Sequence, residues 1–165
     1  MILRSYKSSS YENLCSTSNV TGVVMVETDE TNVDALIRPV RSTDAHAWER
    51  LRCELWPDGR EDHAPEIARF YAGTLPEVAE VLVAETFEGK MIGFAELSVR
   101  TDLPTLVGTR VGYVEGLYVI AEARGSGITR ELLRASRDWA RQQKCTAFAS
   151  DRADRVIVDQ RFSKR

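Results

Sequence analysis

The feature that most constrains this chain is residues 114–133, where a strand-like run passes through Arg124-Gly125-Ser126-Gly127 straight into a helix with one apolar face. A strand, a glycine turn and a helix in succession imply an α/β fold, and the turn has the outline of an anion site. Small residues let the backbone approach a ligand closely. The free N–H groups of the first helical turn, with the helix dipole behind them, favour phosphate oxygens. Spacing narrows the ligand. A P-loop needs Gly-Lys-Ser/Thr, which does not occur, and a dinucleotide fingerprint needs a third glycine where position 130 is Arg. By itself, a glycine turn at this place is more often a plain chain reversal than a cofactor site.

The remaining elements follow from periodicity. Residues 36–40 read as a short strand that Pro39 confines to an edge. Ser42, Thr43 and Asp44 offer helix-cap chemistry, Trp48, Leu51 and Leu55 follow at helical spacing, and Pro57 ends that helix by Trp56. A second helix is expected to carry Pro65 in its first turn, with Ile67, Phe70 and Tyr71 inward and Gly73 near its end. Residues 81–85 and 91–100 form an antiparallel hairpin around the turn at residues 87–90. Residues 110–119 make a further strand and residues 128–144 a helix with one apolar face. Residues 147–150 then give a strand parallel to 110–119, since a helix joins the two. The order β-α-α-β-β-β-α-β predicts an α/β sandwich with a mixed sheet flanked by helices.

Composition bounds function. A chain of 165 residues, 43% apolar, suits a single domain. Net charge is −3 with basic residues scattered, so nucleic-acid binding has no electrostatic footprint, while the acidic excess suits a cationic substrate. Cys15, Cys53 and Cys145 are an odd number without C-x-x-C spacing, which indicates free thiols in a reducing compartment rather than a disulfide framework or zinc site. No apolar run approaches the roughly 20 residues of a membrane span. Residues 1–32, rich in Ser, Thr and Asn, read as a loose N-terminal extension ahead of a domain spanning 33–165.

Arg124 to Thr129, Arg-x-x-Gly-x-Thr, resembles the coenzyme A loop of the GNAT superfamily of N-acetyltransferases, with Thr129 where that family prefers Gly or Ala. The predicted element order is also the GNAT order. Within the superfamily, Leu51-Arg52-Cys53-Glu54-Leu55-Trp56-Pro57, Val114-Glu115-Gly116-Leu117-Tyr118-Val119 and Ala149-Ser150-Asp151 are similar to the aminoglycoside 6′-N-acetyltransferases, over about residues 37–151. That resemblance implies acetyl transfer from acetyl-CoA to the 6′-amine of an aminoglycoside, conferring antibiotic resistance, in a cytoplasmic, metal-free homodimer.

It also implies roles. Glu115 and Asp151 are the catalytic acids and contact the substrate amine, and Trp56 and Asp102 border the acceptor pocket. Leu117, Tyr118 and Val119 run along the pantetheine arm, which pairs with main-chain groups of Leu117 and Val119 as an added strand. The amides of Arg124, Gly125, Ser126, Gly127, Ile128 and Thr129 hold the pyrophosphate, with the Arg124 side chain as a further phosphate contact. On residue type alone, Glu115 is as well a polar residue on an exposed strand face, and Asp151 a loop residue or helix cap. Two departures stand out. Leu103 replaces a tyrosine, and residues 152–165 hold no His-x-x-Leu-Gly-Phe, so the C-terminal helix and strands of the family are expected to be missing and activity reduced. Two other readings stay open: another small-amine N-acetyltransferase on this fold, or a coenzyme A-binding remnant without turnover.

Overall fold

A computed structural model describes residues 34–152, 155–159 and 161–162. The expected N-terminal extension lies outside these residues. Among them, β1 (Ala35–Pro39) leads through a 3-10 turn, Ser42–Asp44, into α1 (Ala45–Leu55) and α2 (Arg60–Tyr71). Then come β2 (Glu80–Thr86), β3 (Met91–Arg100), β4 (Val111–Val119), α3 (Ile128–Gln142), β5 (Ala147–Arg152) and β6 (Arg155–Val158). The six strands form one sheet in sequence order, antiparallel throughout except for the parallel pair β4 and β5 that flanks α3. The predicted mixed sheet is present, and β6 adds one further strand to it after β5.

Alternation along β3 and β4 sorts the two faces. Gly112 faces α3, so closely that a Cβ there would lie 2.4 Å from the Cβ of Ala140, and Gly93 meets Leu132 on the same side. Tyr113, one residue on from Gly112, turns to the opposite face. That face is covered by α1 and α2, whose Trp48 and Leu51 are completely buried with Phe94. The sheet is thus sandwiched between two helices and one.

Where the elements depart from expectation, the cause is local. Pro65 is the sixth residue of α2 instead of lying in its first turn. Gly59, at φ +80°, starts the helix earlier, and Glu61 and Asp62 sit where the helix dipole favours carboxylates. Tyr71 is exposed rather than inward, its hydroxyl donating to the Arg41 carbonyl. Asp44 caps the 3-10 turn, its carboxylate accepting the Arg41 amide, and not α1; it also pairs with Arg38, which pairs with Glu85 and is held above its ordinary range first by the Glu85 bond. Arg110 lies outside β4 and donates to the Gln143 carbonyl. Helix α3 ends two residues early because Lys144 takes a left-handed turn at φ 59°.

Candidate functional site

The glycine turn between β4 and α3 is built as its composition requires. Gly125 and Gly127 have φ of +87° and +89°, a region that side chains rarely adopt. Ser126 donates its hydroxyl to the Ala123 carbonyl and pins the loop from within. Above Gly125 the space is open, with no atom within 4 Å of where a Cβ would stand. Gly127 is the residue before α3, and its carbonyl accepts the Glu131 amide, so the amides ahead of Glu131 have no acceptor within the helix. Ile128 points its side chain into the core, leaving only its main chain on the turn's surface, while Thr129 is exposed. A cavity of about 320 Å³ opens beside the turn against Ser126, Gly127 and Arg130.

Arg124 does not reach toward this turn. It folds back over the Tyr118 ring, with its guanidinium carbon 5.6 Å from the centroid, and donates to the Val119 carbonyl at 3.0 Å. The side chain over the turn is Arg130, with Nη2 3.1 Å from the Cβ position of Gly127. Sequence reasoning used Arg130 only to exclude a dinucleotide fingerprint.

Along β4 the sheet opens. Its parallel pairing with β5 runs from Val111 opposite Ala147 to Val114 opposite Ser150 and no further, so residues 115–119 have a free edge toward β5. The Ile120 amide donates back to Ile92 of β3. By alternation, the main-chain groups of Leu117 and Val119 face the free edge and those of Tyr118 face β3. The Tyr118 hydroxyl is engaged elsewhere, donating to Glu54 at 2.6 Å.

A β-bulge lies where the sheet opens. Glu96 pairs with Gly116, but Leu97 pairs with Val114, so Glu115 is the extra residue on β4. The bulge brings Glu115 to the face on which Glu96, Ser98 and Arg100 alternate along β3. Arg100 grips the Glu115 carboxylate with two bonds, of 2.8 and 2.5 Å, and the Ser98 hydroxyl donates to the same group. Glu115 in return holds Arg100 above its ordinary range. The Arg100 guanidinium also lies over the Tyr113 ring, 4.1 Å from its centroid, and the Tyr113 hydroxyl donates to Asp151. Burial first, and the Asp151 bond second, push the Tyr113 phenol well above its usual range.

Glu115 and Asp151 therefore stand on one face of the sheet, joined through Arg100 and Tyr113. Asp151 lies within β5, and no loop or helix cap is involved. Trp56 sits over the same region, where a Cβ on Gly116 would come within 2.4 Å of its ring. The Trp56 carbonyl is 3.1 Å from Nε2 of His63. Asp102 is exposed on the loop after β3, near enough to Arg100 to reinforce its charge, but it is not part of the cavity wall.

That wall belongs to a cavity of about 350 Å³ between α1, α2 and the sheet, lined by Trp56, Arg52, Glu66, Glu96 and Glu115 among others. Sequence reasoning missed Glu96 and Arg52. Glu96 is 2% exposed, accepts the Trp48 indole N–H at 2.8 Å, and has Arg52 Nε 3.2 Å away. Burial, opposed by Arg52, pushes its carboxyl up to about 7. The available signal was an acid in the middle of an otherwise apolar strand, residues 91–97.

The model of the acetyltransferase (GNAT) family matches residues 45–159. The aminoglycoside N(6′)-acetyltransferase type 1 of Klebsiella aerogenes is 44% identical over 117 residues, 70% of this chain and 77% of that protein. The enzyme of the same name from Stenotrophomonas maltophilia is 38% identical over 70% and 73%. Among solved structures, the apo aminoglycoside 6′-N-acetyltransferase of Acinetobacter haemolyticus superposes with a TM-score of 0.63 at 33% identity, covering 72% of this chain and 79% of that one. AAC(6′)-Iy in complex with the bisubstrate analogue CoA-S-monomethyl-acetylneamine gives 0.64 at 27%, over 73% and 80%. A family match that runs through α1, the whole centre of the sheet and the glycine turn, together with relatives at this level of identity, places the chain in the GNAT family of acetyltransferases.

Proposed function

We propose that the protein transfers the acetyl group of acetyl-CoA to the 6′-amine of aminoglycosides. The observation that carries this reading is the free edge of β4, which ends at one side in an open glycine turn and at the other in Glu115 beside an acidic cavity. The pyrophosphate rests on main-chain amides between Arg124 and Thr129, and the pantetheine arm continues β4 beside Leu117 and Val119. This course delivers the thioester to the bulge at Glu115. There the substrate must lose a proton before its nitrogen can attack, and a base is needed to draw that proton off. Glu115 draws the proton directly or through water, Asp151 orients the ammonium, and Trp56 borders the acceptor, while Asp102 stays outside the cavity wall. The named activity of the Klebsiella aerogenes and Acinetobacter haemolyticus relatives supports the choice of acceptor.

Thiol release from acetyl-CoA tests this reading. Tobramycin and kanamycin should each yield one thiol per acetylated amine, and an aminoglycoside bearing a hydroxyl in place of the 6′-amine should yield none. Turnover with simple polyamines but with no aminoglycoside would instead select a different small-amine acetyltransferase.

A cytoplasmic homodimer completes the proposal. Val156 and Ile157, 38% and 49% exposed on the outer strand β6, give a second copy an apolar edge to cover. Sedimentation should show a two-chain species at micromolar concentration; a monomer throughout would refute the dimer.

A further inference from the structure

Glu96 is a buried acid for which the acid pair Glu115 and Asp151 has no use. We propose that the proton drawn from the acceptor amine comes to rest on Glu96, with Glu115 and Glu96 acting as a pair across the cavity that both line. This rests on the acetyl-transfer reading and adds a residue to it.

The argument begins with how each carboxylate is held. Both oxygens of Glu115 accept bonds, from Arg100 and from Ser98, so that group is committed to its neighbours. Glu96 is held less completely. The Trp48 indole donates to it, while Arg52 stands beside it with Nε and Nη1 forming no hydrogen bond and Nη2 turned to Glu66 at 2.5 Å. A buried carboxylate compensated mainly by an adjacent charge, not by donors aimed at it, gives up less on accepting a proton. The charged groups that face it are Arg52 from α1, Glu66 and Arg69 from α2, Glu77 from the loop before β2, and Glu115 from β4, with Arg100 behind Glu115. Glu115 and Glu66 repel its negative charge and Arg52 attracts it. Burial outweighs the attraction, and the carboxyl titrates near 7, where an acceptor is matched to neutral conditions.

The step balances as follows. The ammonium loses one proton by way of Glu115 and the water-accessible cavity to the Glu96 carboxylate, where it comes to rest, and the freed nitrogen lone pair forms the C–N bond to the thioester carbonyl. The C–S bond breaks with its electron pair on sulfur, which takes the second proton lost by nitrogen and leaves as thiol. Glu96 then returns its proton to solvent.

The decisive measurement is the pH dependence of kcat for tobramycin acetylation. The wild type should lose rate as pH falls through about 7, because Glu96 must be ionised to accept. Glu96→Gln should lower kcat at least about 100-fold, abolish that limb and leave the KM for acetyl-CoA unchanged. Glu115→Gln, by removing a like charge, should move the limb to lower pH. A Glu96→Gln enzyme within about threefold of wild-type kcat, with the limb in place, overturns the proposal while leaving acetyl transfer standing. A wild type that releases no thiol with any amine sinks the acetyl-transfer reading and this step with it. If Glu96→Gln fails to fold, Glu96→Asp carries the test: a displaced limb supports the proposal, and an unchanged limb and kcat refute it.

Discussion

Glu115→Gln is expected to lower kcat/KM for aminoglycoside acetylation by about 10²- to 10⁴-fold, the range for loss of a positioned proton acceptor. The substitution keeps the length of the side chain and its place in the bulge, but removes the charge that Arg100 and Ser98 hold. Arg100 then faces an amide that can present N–H groups to its own N–H groups, so its hold on the Tyr113 ring and, through Tyr113, on Asp151 loosens as well. Coenzyme A affinity should stay within about twofold, because the amides of the turn and the edge of β4 are main-chain groups that this side chain does not touch. Calorimetry with coenzyme A and steady-state kinetics with tobramycin separate the two effects. A variant that acetylates at wild-type efficiency would remove Glu115 from the chemistry and leave it as a partner that merely neutralises Arg100.

The fold was legible in the sequence where hydrophobic period and turn chemistry agree. The strand of residues 110–119 running into Gly125 and Gly127, and then a helix with Leu132, Trp139 and Ala140 on one face, could be arranged in few other ways. The acids were legible only in part. Glu115 and Asp151 were found through resemblance, and their shared face was not readable from period two, because a bulge at Glu115 breaks the alternation that a sequence reader must assume. Glu96 was hidden for the opposite reason. It obeys the alternation, and a single acid in an apolar strand does not announce whether a partner from α1 awaits it. Arg124 shows the limit of motif spacing, since a guanidinium can serve the loop or turn back to the Val119 carbonyl from the same position.

Arg52→Met tests what Glu96 costs the fold. Arg52 is 6% exposed, pairs with Glu66, stands 3.2 Å from Glu96 Oε1 and lies over the rings of Trp48 and Trp56. Methionine keeps much of its bulk and loses its charge, leaving Glu96 with the Trp48 bond and two repelling acids. Breaking a buried pair from one side costs about 3–5 kcal/mol, and that loss should appear in denaturant unfolding at pH 8. The pH dependence gives the assignment. In the wild type, burial raises the folded-state carboxyl of Glu96 from its ordinary value of 4.5 to about 7, so between those values the native state binds more protons than the unfolded chain. Stability from this group therefore falls as pH rises through that window and is level above it. Arg52 opposes the rise, so its removal extends the window upward and steepens the loss on the alkaline side. The deficit of Arg52→Met should shrink as pH drops toward 5, where Glu96 is protonated in both proteins, and what remains there measures the lost Glu66 pair and ring packing. The double variant Arg52→Met/Glu96→Gln should regain most of the stability lost at pH 8. A deficit equal at both pH values and unrelieved in the double variant would mean that Arg52 stabilises the fold through packing and Glu66 alone.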